Sequence, residues 1–266
     1  MGLHTGVDCR IVVEPASPGA GRVFICDNVE IAAHANNVVD TSRSTSIGCA
    51  DRSVRTVEHL MAALSGCLID NARIHVRGPE IPILDGSALP FVELIHSAGI
   101  CRQDEPARMI RVSSTVSVSN DSRLSTMSVT ASGAFELTIE TQFHNWPDGS
   151  GINRVVFHPW VDVFETELAP ARTFAFADEV DHLLKAGLAR GGSLENVVII
   201  TPPESFSSPL RLPGEWWRHK ALDVIGDLAL LDARLSCAIT AVRPGHSINT
   251  RLASALHAQN LCSATI

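Results

Sequence analysis

Arg218-His219-Lys220-Ala221-Leu222-Asp223-Val224-Ile225-Gly226-Asp227 is the stretch on which the reading of this chain turns. On a helix, positions four apart fall within about 40° of one another around the axis. The spacing therefore places His219, Asp223 and Asp227 along one stripe, with Leu222, Ile225 and Ala229 leaning to other faces. A neutral imidazole and a carboxylate one turn apart can both reach a single divalent ion. A polar stripe turned toward solvent is the other reading of the same spacing, and the stretch alone does not choose between them.

The 266 residues around it are 45% apolar and 19% charged, the composition of a globular protein with ample core. No apolar run approaches the length needed to cross a bilayer, and Met1-Gly2-Leu3-His4-Thr5-Gly6 lacks the basic and apolar regions of a signal peptide. A cytoplasmic protein with no transmembrane segment is expected. Seven cysteines, odd in number and without a Cys-x-x-Cys pair, fit free thiols better than a disulfide framework or a zinc ribbon. A net charge of −8 argues against nucleic acid as the partner. Lys185 and Lys220 are the only lysines, so the opening stretch holds one of the two.

Read in order, residues 9–14 and 22–26 have strand character, joined by Pro18-Gly19-Ala20-Gly21. A polar region runs to about residue 53. The segment 55–64 reads as a compact helix with Thr56 as its N-cap, followed by a strand at 71–77. Next come the rigid loop Gly78-Pro79-Glu80-Ile81-Pro82-Ile83-Leu84-Asp85-Gly86-Ser87 and a helix at 91–98. Beyond the polar link Arg102-Gln103-Asp104-Glu105-Pro106, strands are expected at 109–118, 124–130, 135–143 and 153–157, with a Pro/Gly loop at 145–151. A helix at 178–186, a strand at 197–201, the main helix at 215–231, a strand at 236–242 and a helix at 247–258 complete the chain. Each half thus holds several strands and at least two helices. The fold class is α+β, with two domains of similar plan at 1–103 and 107–266, and neither half alternates strand and helix as a doubly wound sheet does.

Other residues could carry chemistry. Glu58 and His59 are adjacent and so about 100° apart on a helix, yet both can border a cleft that faces the helix end. Read structurally, Glu58 is an acid favoured by the helix dipole and His59 a core residue. His246 follows a strand through the turn Arg243-Pro244-Gly245, which suits either an exposed imidazole or an ordinary turn histidine. Thr173 and Phe174 follow Arg172 at what reads as a strand end. His4, His34, His75, His96, His144, His158, His182 and His257 have no partner at metal-ligand spacing nearby in the sequence.

Seven segments taken together resemble the UDP-3-O-acyl-N-acetylglucosamine deacetylase family, zinc amidases of lipid A biosynthesis. They are Gly2-Leu3-His4-Thr5-Gly6, Thr56-Val57-Glu58-His59-Leu60, the loop 78–87, Ala171-Arg172-Thr173-Phe174, 187–193, 218–228 and Gly245-His246, in the family's order. The resemblance implies helices sandwiched between two sheets and a cleft where the domains meet. It implies that His59, His219 and Asp223 hold a zinc ion (Zn2+), with Glu58 as general base. His246 would be the general acid supported by Asp227, and Thr173 and Lys220 would stabilise the oxyanion. Phe174, Arg243 and Lys220 would contact substrate, an acylated UDP-sugar. The insert around 174–200 would enclose its acyl chain with Phe176, Val180, Leu183, Leu184, Leu188, Val197 and Val198. The products would be acetate and the free 2-amino sugar nucleotide. The expected partners are this small molecule and, peripherally, the inner membrane; the expected state is a monomer.

Three departures from the family pattern stand out. The chain begins at Gly-Leu-His-Thr-Gly, where the family has a preceding strand, so an open edge on the first sheet is expected. Arg243-Pro244 replaces a Lys-Ser pair before Gly245-His246, and His144-Asn145-Trp146-Pro147 replaces a shorter Asn-His-Pro. The alternative function is a non-catalytic zinc-binding paralogue that holds a nucleotide sugar or a partner protein.

Overall fold

The computed structural model describes residues 1–141, 153–158, 162–202 and 205–263. The expected loop at 145–151, with His144-Asn145-Trp146-Pro147, lies outside the described residues. Helices are labelled here in chain order: α1 Glu58–Gly66, α2 Leu89–Ala98, α3 Phe164–Glu167, α4 Ala177–Lys185, α5 Glu215–Leu228 and α6 His246–Ser263.

The first sheet orders its strands Arg10–Pro15, Ala72–Arg77, Arg22–Cys26, Val29–Ala32. Its central pair, Arg22–Cys26 and Ala72–Arg77, is parallel, and the flanking pairs are antiparallel. The second sheet runs Asn153–Phe157, Glu136–Thr141, Arg234–Val242, Ser125–Ala131, Val116–Asn120, with Met109–Arg111 alongside the start of Arg234–Val242. Here too one central pair, Glu136–Thr141 with Arg234–Val242, is parallel between antiparallel neighbours. A parallel pair needs a crossover, and in each half one long helix lies on it: α1 in the first, α5 in the second. Each crossover also carries a small three-stranded sheet. Val38–Asp40, Ser46–Cys49 and Arg52–Val54 form the first, and Phe174–Phe176, Val198–Thr201 and Ser205–Phe206 the second. The halves therefore follow one plan, as expected from the element count.

Residues from both sheets and from the helices between them form one apolar core: Phe24 and Ile74, Leu60 and Leu64, Leu222 and Ile225, Leu137 and Ile239. A helix covered on two sides has no exposed stripe, and α1 is buried at every position from Glu58 to Leu64. Side chains also tie the halves at the rim. Arg22 donates from Nε to Ile69 O and from Nη1 to Ala229 O, and Arg234 pairs with Asp70 at 2.7 Å. The edge strand Arg10–Pro15 is largely exposed, with Val12 and Val13 open to solvent.

One expectation needs correction. Thr56 does not cap α1. It sits at φ 58°, its hydroxyl bonds to Glu80, and Val57 is the first flanking residue. The polar region to about residue 53, where the sequence shows no periodic element, holds strands of three or four residues, too short for a period to show in Ser/Thr-rich sequence. Two glycines set how closely the helices pack. A Cβ on Gly226 of α5 would stand 2.0 Å from the carbonyl oxygen of Glu58, and one on Gly66 would stand 2.2 Å from the Phe164 ring. Backbone cannot yield as a side chain does, so Gly226→Ala forces α1 and α5 apart. Urea denaturation should show Gly226→Ala destabilised by about 1–3 kcal/mol, the usual overpacking cost. Gly133→Ala, which meets nothing within 4 Å, should be close to neutral.

Candidate active site

The start of α1 is held by a buried carboxylate. Glu80 accepts from the backbone N–H of His4 and Thr5 and from the hydroxyls of Thr5 and Thr56. Burial alone would raise its pKa, but these donors hold it below the usual carboxylate range. The motif residues at 2–6, 56 and 80 thus meet at one point, and from it α1 delivers Glu58 and His59 into the interior.

The stripe on α5 meets them there. His59, His219 and Asp223 are all buried, and one ligand atom of each lies within 4.8 Å of the others. Asp223 Oδ1 stands 3.4 Å from His219 Nε2 and 3.9 Å from His59 Nε2, and the two imidazoles cross at 87°. His219 Nδ1 lies 2.9 Å from Ala171 O. A carbonyl only accepts, so Nδ1 carries the proton and Nε2 keeps its lone pair facing Asp223. Ala171 is fixed in turn by its neighbour Arg172, whose guanidinium forms a buried pair with Glu215 at the start of α5.

The charges suit a bound cation. Burial and the neighbouring His219 push His59 down to about 3, and burial lowers His219 as well, so both rings are neutral. Asp223 is held far below the carboxylate range: burial opposes this, but the Lys220 ammonium and the charged His246 imidazole prevail. Its Oδ2 accepts from Lys220 Nζ at 2.8 Å, while Oδ1 is buried without a hydrogen-bond partner. An ionised oxygen left unpaired in the interior is costly. Two neutral nitrogens and this oxygen are the donor set and protonation state that a divalent zinc takes.

Around the cluster stand two further titratable groups. Glu58 Oε2 accepts from the backbone N–H of Thr45 at 3.0 Å, and burial pushes its pKa up to about 8. His246, the first residue of α6, lies with Nδ1 3.0 Å from Asp227 Oδ2 and Nε2 3.9 Å from Glu58 Oε1. Burial alone would lower it, but Asp227 and Glu58 raise it to about 9. Fully buried Asp227 also accepts from the Thr45 hydroxyl and from Asn249 Nδ2.

The remaining candidates fall around this centre. Thr173 is half-buried just ahead of strand Phe174–Phe176, at a strand start rather than the expected strand end. It is pinned by its N–H to Gly86 O at 2.8 Å and by Val198 N–H to its own carbonyl at 2.9 Å. Phe174 faces the His219 ring edge-on, and Lys220 Nζ stands 5.6 Å from its centroid. Arg243 takes φ 49° and donates its N–H to Glu140 O, which turns the chain into α6. Four groups that matter were not singled out from sequence. Thr45 and Glu80 sit in loops, Asn249 is visible only as three residues beyond His246, and the carbonyl of Ala171 has no side-chain signature.

Comparison with known proteins agrees with the resemblance. The family model described as LpxC, UDP-3-O-acyl N-acetylglycosamine deacetylase, matches residues 1–258. A UDP-3-O-acyl-N-acetylglucosamine deacetylase of Geobacter sp. (strain M21) is 40% identical over 261 residues, 96% of this chain and 84% of the relative. The protein of the same name from Myxococcus xanthus (strain DK1622) is 40% identical over 257 residues, 95% and 81%. That from Phenylobacterium zucineum (strain HLK1) is 40% identical over 267 residues, 97% and 89%.

Because Asp227 raises His246 in the folded protein, their pairing favours folding while the ring is charged. That stabilisation is complete below the ordinary histidine pKa of about 6.5 and is lost as pH rises through about 9. Asp227→Asn should move the His246 midpoint, followed by ring-proton NMR, down by at least about one unit, the scale of a neighbouring charge. A midpoint unchanged by the substitution would contradict the pairing.

Proposed function

The chain belongs to the LpxC family of UDP-3-O-acyl N-acetylglycosamine deacetylases, and from that premise we propose that it works as a zinc-dependent amide hydrolase. Its substrate is UDP-3-O-(3-hydroxyacyl)-N-acetylglucosamine, and its products are acetate and the free 2-amino sugar nucleotide of lipid A biosynthesis. The observation that carries the proposal is the buried His59, His219 and Asp223 cluster with Glu58 and His246 beside it.

Held by His59, His219 and Asp223, zinc would supply a Lewis acid and a positive charge that favours the carboxylate form of Glu58. The protein's own groups do the rest. An amide resists attack and its nitrogen is a poor leaving group, so a base and an acid are both needed. Glu58 takes the proton of the attacking water, held in place by Thr45 N–H. His246 faces Glu58 and is charged because of Asp227; it delivers a proton to the departing nitrogen. The Lys220 ammonium and the Thr173 hydroxyl stabilise the tetrahedral oxygen. Arg243 beside α6 meets the diphosphate with a planar guanidinium. Phe174 and the apolar side of the insert around 174–200 take the acyl chain. Phe176, Leu183, Val197 and Val198 are buried there and Leu184 is exposed. Among the described residues no helix is long and apolar enough to cross a membrane.

The test is acetate release with zinc quantified on the same sample. About one zinc per chain is expected, and chelation should abolish turnover. Glu58→Gln should keep the zinc and lose about 10²–10⁴-fold in kcat, the usual worth of general acid–base assistance. Undiminished turnover by metal-free protein would overturn the proposal, and zinc binding without acetate release would favour the non-catalytic paralogue.

A further inference from the structure

A second group of metal-type side chains lies at the other end of α1. Cys67 immediately follows the helix, His96 is in the last turn of α2 and Glu165 is in the first turn of α3. One ligand atom of each lies within 4.8 Å of the others, one of two such three-donor groups found among the described residues. His96 Nε2 is already 3.2 Å from Glu165 Oε1. Donors around a tetrahedral zinc, bound at about 2.0–2.3 Å, stand roughly 3.3–3.8 Å apart, so this pair stands within about 0.1 Å of ligand spacing. Cys67 is buried, whereas the His96 and Glu165 side chains are 51% and 33% exposed. A metal can therefore enter from solvent, and two partly exposed side chains can close on a buried sulfur.

The packing that builds this group is specific. Gly66 lets the Phe164 ring lie directly on the end of α1, where any Cβ would stand 2.2 Å away. Seating Phe164 there sets the adjacent Glu165 beside Cys67. α3 is anchored from its far side as well, since Arg218 donates to both the carbonyl and the carboxylate of Glu167. Arg218 neighbours His219. The cluster thus spans the two halves, with Cys67 and His96 from the first and Glu165 from the second. It lies roughly 13 Å along α1 from Glu58, taking 1.5 Å per residue.

We propose that Cys67, His96 and Glu165 form a second binding site for a borderline-soft divalent ion of the zinc class. It is four-coordinate with one water and clasps α1, α2 and α3 across the domain boundary. Thiolate plus imidazole selects zinc or cobalt over magnesium or calcium. The site goes beyond the deacetylase reading and does not depend on it, because none of its residues belongs to the catalytic group. Sequence spacing could not reveal it, since its three donors are far apart in the chain.

The experiment adds Co2+ to full-length protein already holding one zinc, followed by absorption. A cobalt–thiolate bond gives a charge-transfer band in the near ultraviolet, which a His, His and Asp centre cannot produce. The band is expected to saturate at one further equivalent and to disappear in Cys67→Ser. His96→Ala, an exposed position that folding should tolerate, should weaken cobalt binding at least about tenfold. Mg2+ should not compete, while added Zn2+ should displace the band. No band in the parent protein overturns the proposal, as does a band that persists unweakened in His96→Ala. Loss of the band in His96→Ala at unchanged acetate release would support the site even where Cys67→Ser fails to fold.

Discussion

The site exists because two helix backbones come closer than side chains normally allow. At Gly226 the crossover helix of the second half presses on the carbonyl of Glu58, at the start of the crossover helix of the first. Three residues earlier on α5 stands Asp223, and one residue later on α1 stands His59. Contact at this point brings two ligands from one helix and one from the other within reach of a single ion. Neither half holds a complete set. The dense apolar core around α1 and α5 supplies the force that maintains the approach, since both helices are buried on two sides. The same core makes the charged groups inside it expensive, and they persist because each has a partner or faces the site where a cation would bind.

One architecture, used twice, does two different jobs. In each half a parallel strand pair is bridged by a crossover that includes a small sheet and a central helix. The first half uses the beginning of its helix, where Glu58 and His59 are presented by a segment fixed on Glu80. The second uses the side of its helix, where His219, Asp223 and Asp227 line up. The small sheets contribute as well: the loop before Ser46–Cys49 brings Thr45 to Glu58 and Asp227, and Phe174–Phe176 places Phe174 beside His219. Glu58 and the Asp227–His246 pair are then ordered by one shared threonine, whose N–H serves Glu58 and whose hydroxyl serves Asp227.

Much of this is legible in the sequence, for identifiable reasons. The helical stripe on α5 follows from period alone, and it contains two ligands and the partner of His246. The regular elements at 22–26, 153–157 and 215–228 have apolar periods long enough to read. His59 could not be joined to the stripe by spacing, because their meeting depends on the packing of two helices far apart in sequence; only the ordered motifs connect them. Thr56 looks like a helix cap, yet its hydroxyl is taken by Glu80, a tertiary partner that overrides the local preference. The strands at 29–32, 38–40, 46–49 and 52–54 are too short and polar to show alternation. His34 and His257, without partners in the local sequence, meet edge to face with ring centroids 4.3 Å apart once the halves assemble.

The central claim is that α1 and α5 together clamp one ion through two imidazoles and a carboxylate. X-ray absorption at the zinc edge, on protein loaded with a single equivalent of zinc, measures this ligand set directly. The account predicts a four-coordinate ion with nitrogen and oxygen neighbours at about 2.0–2.1 Å, two of them imidazole, and no sulfur. In His59→Ala one imidazole should vanish from the spectrum. A sulfur neighbour at about 2.3 Å in the parent protein, or an unchanged spectrum in His59→Ala, would contradict it.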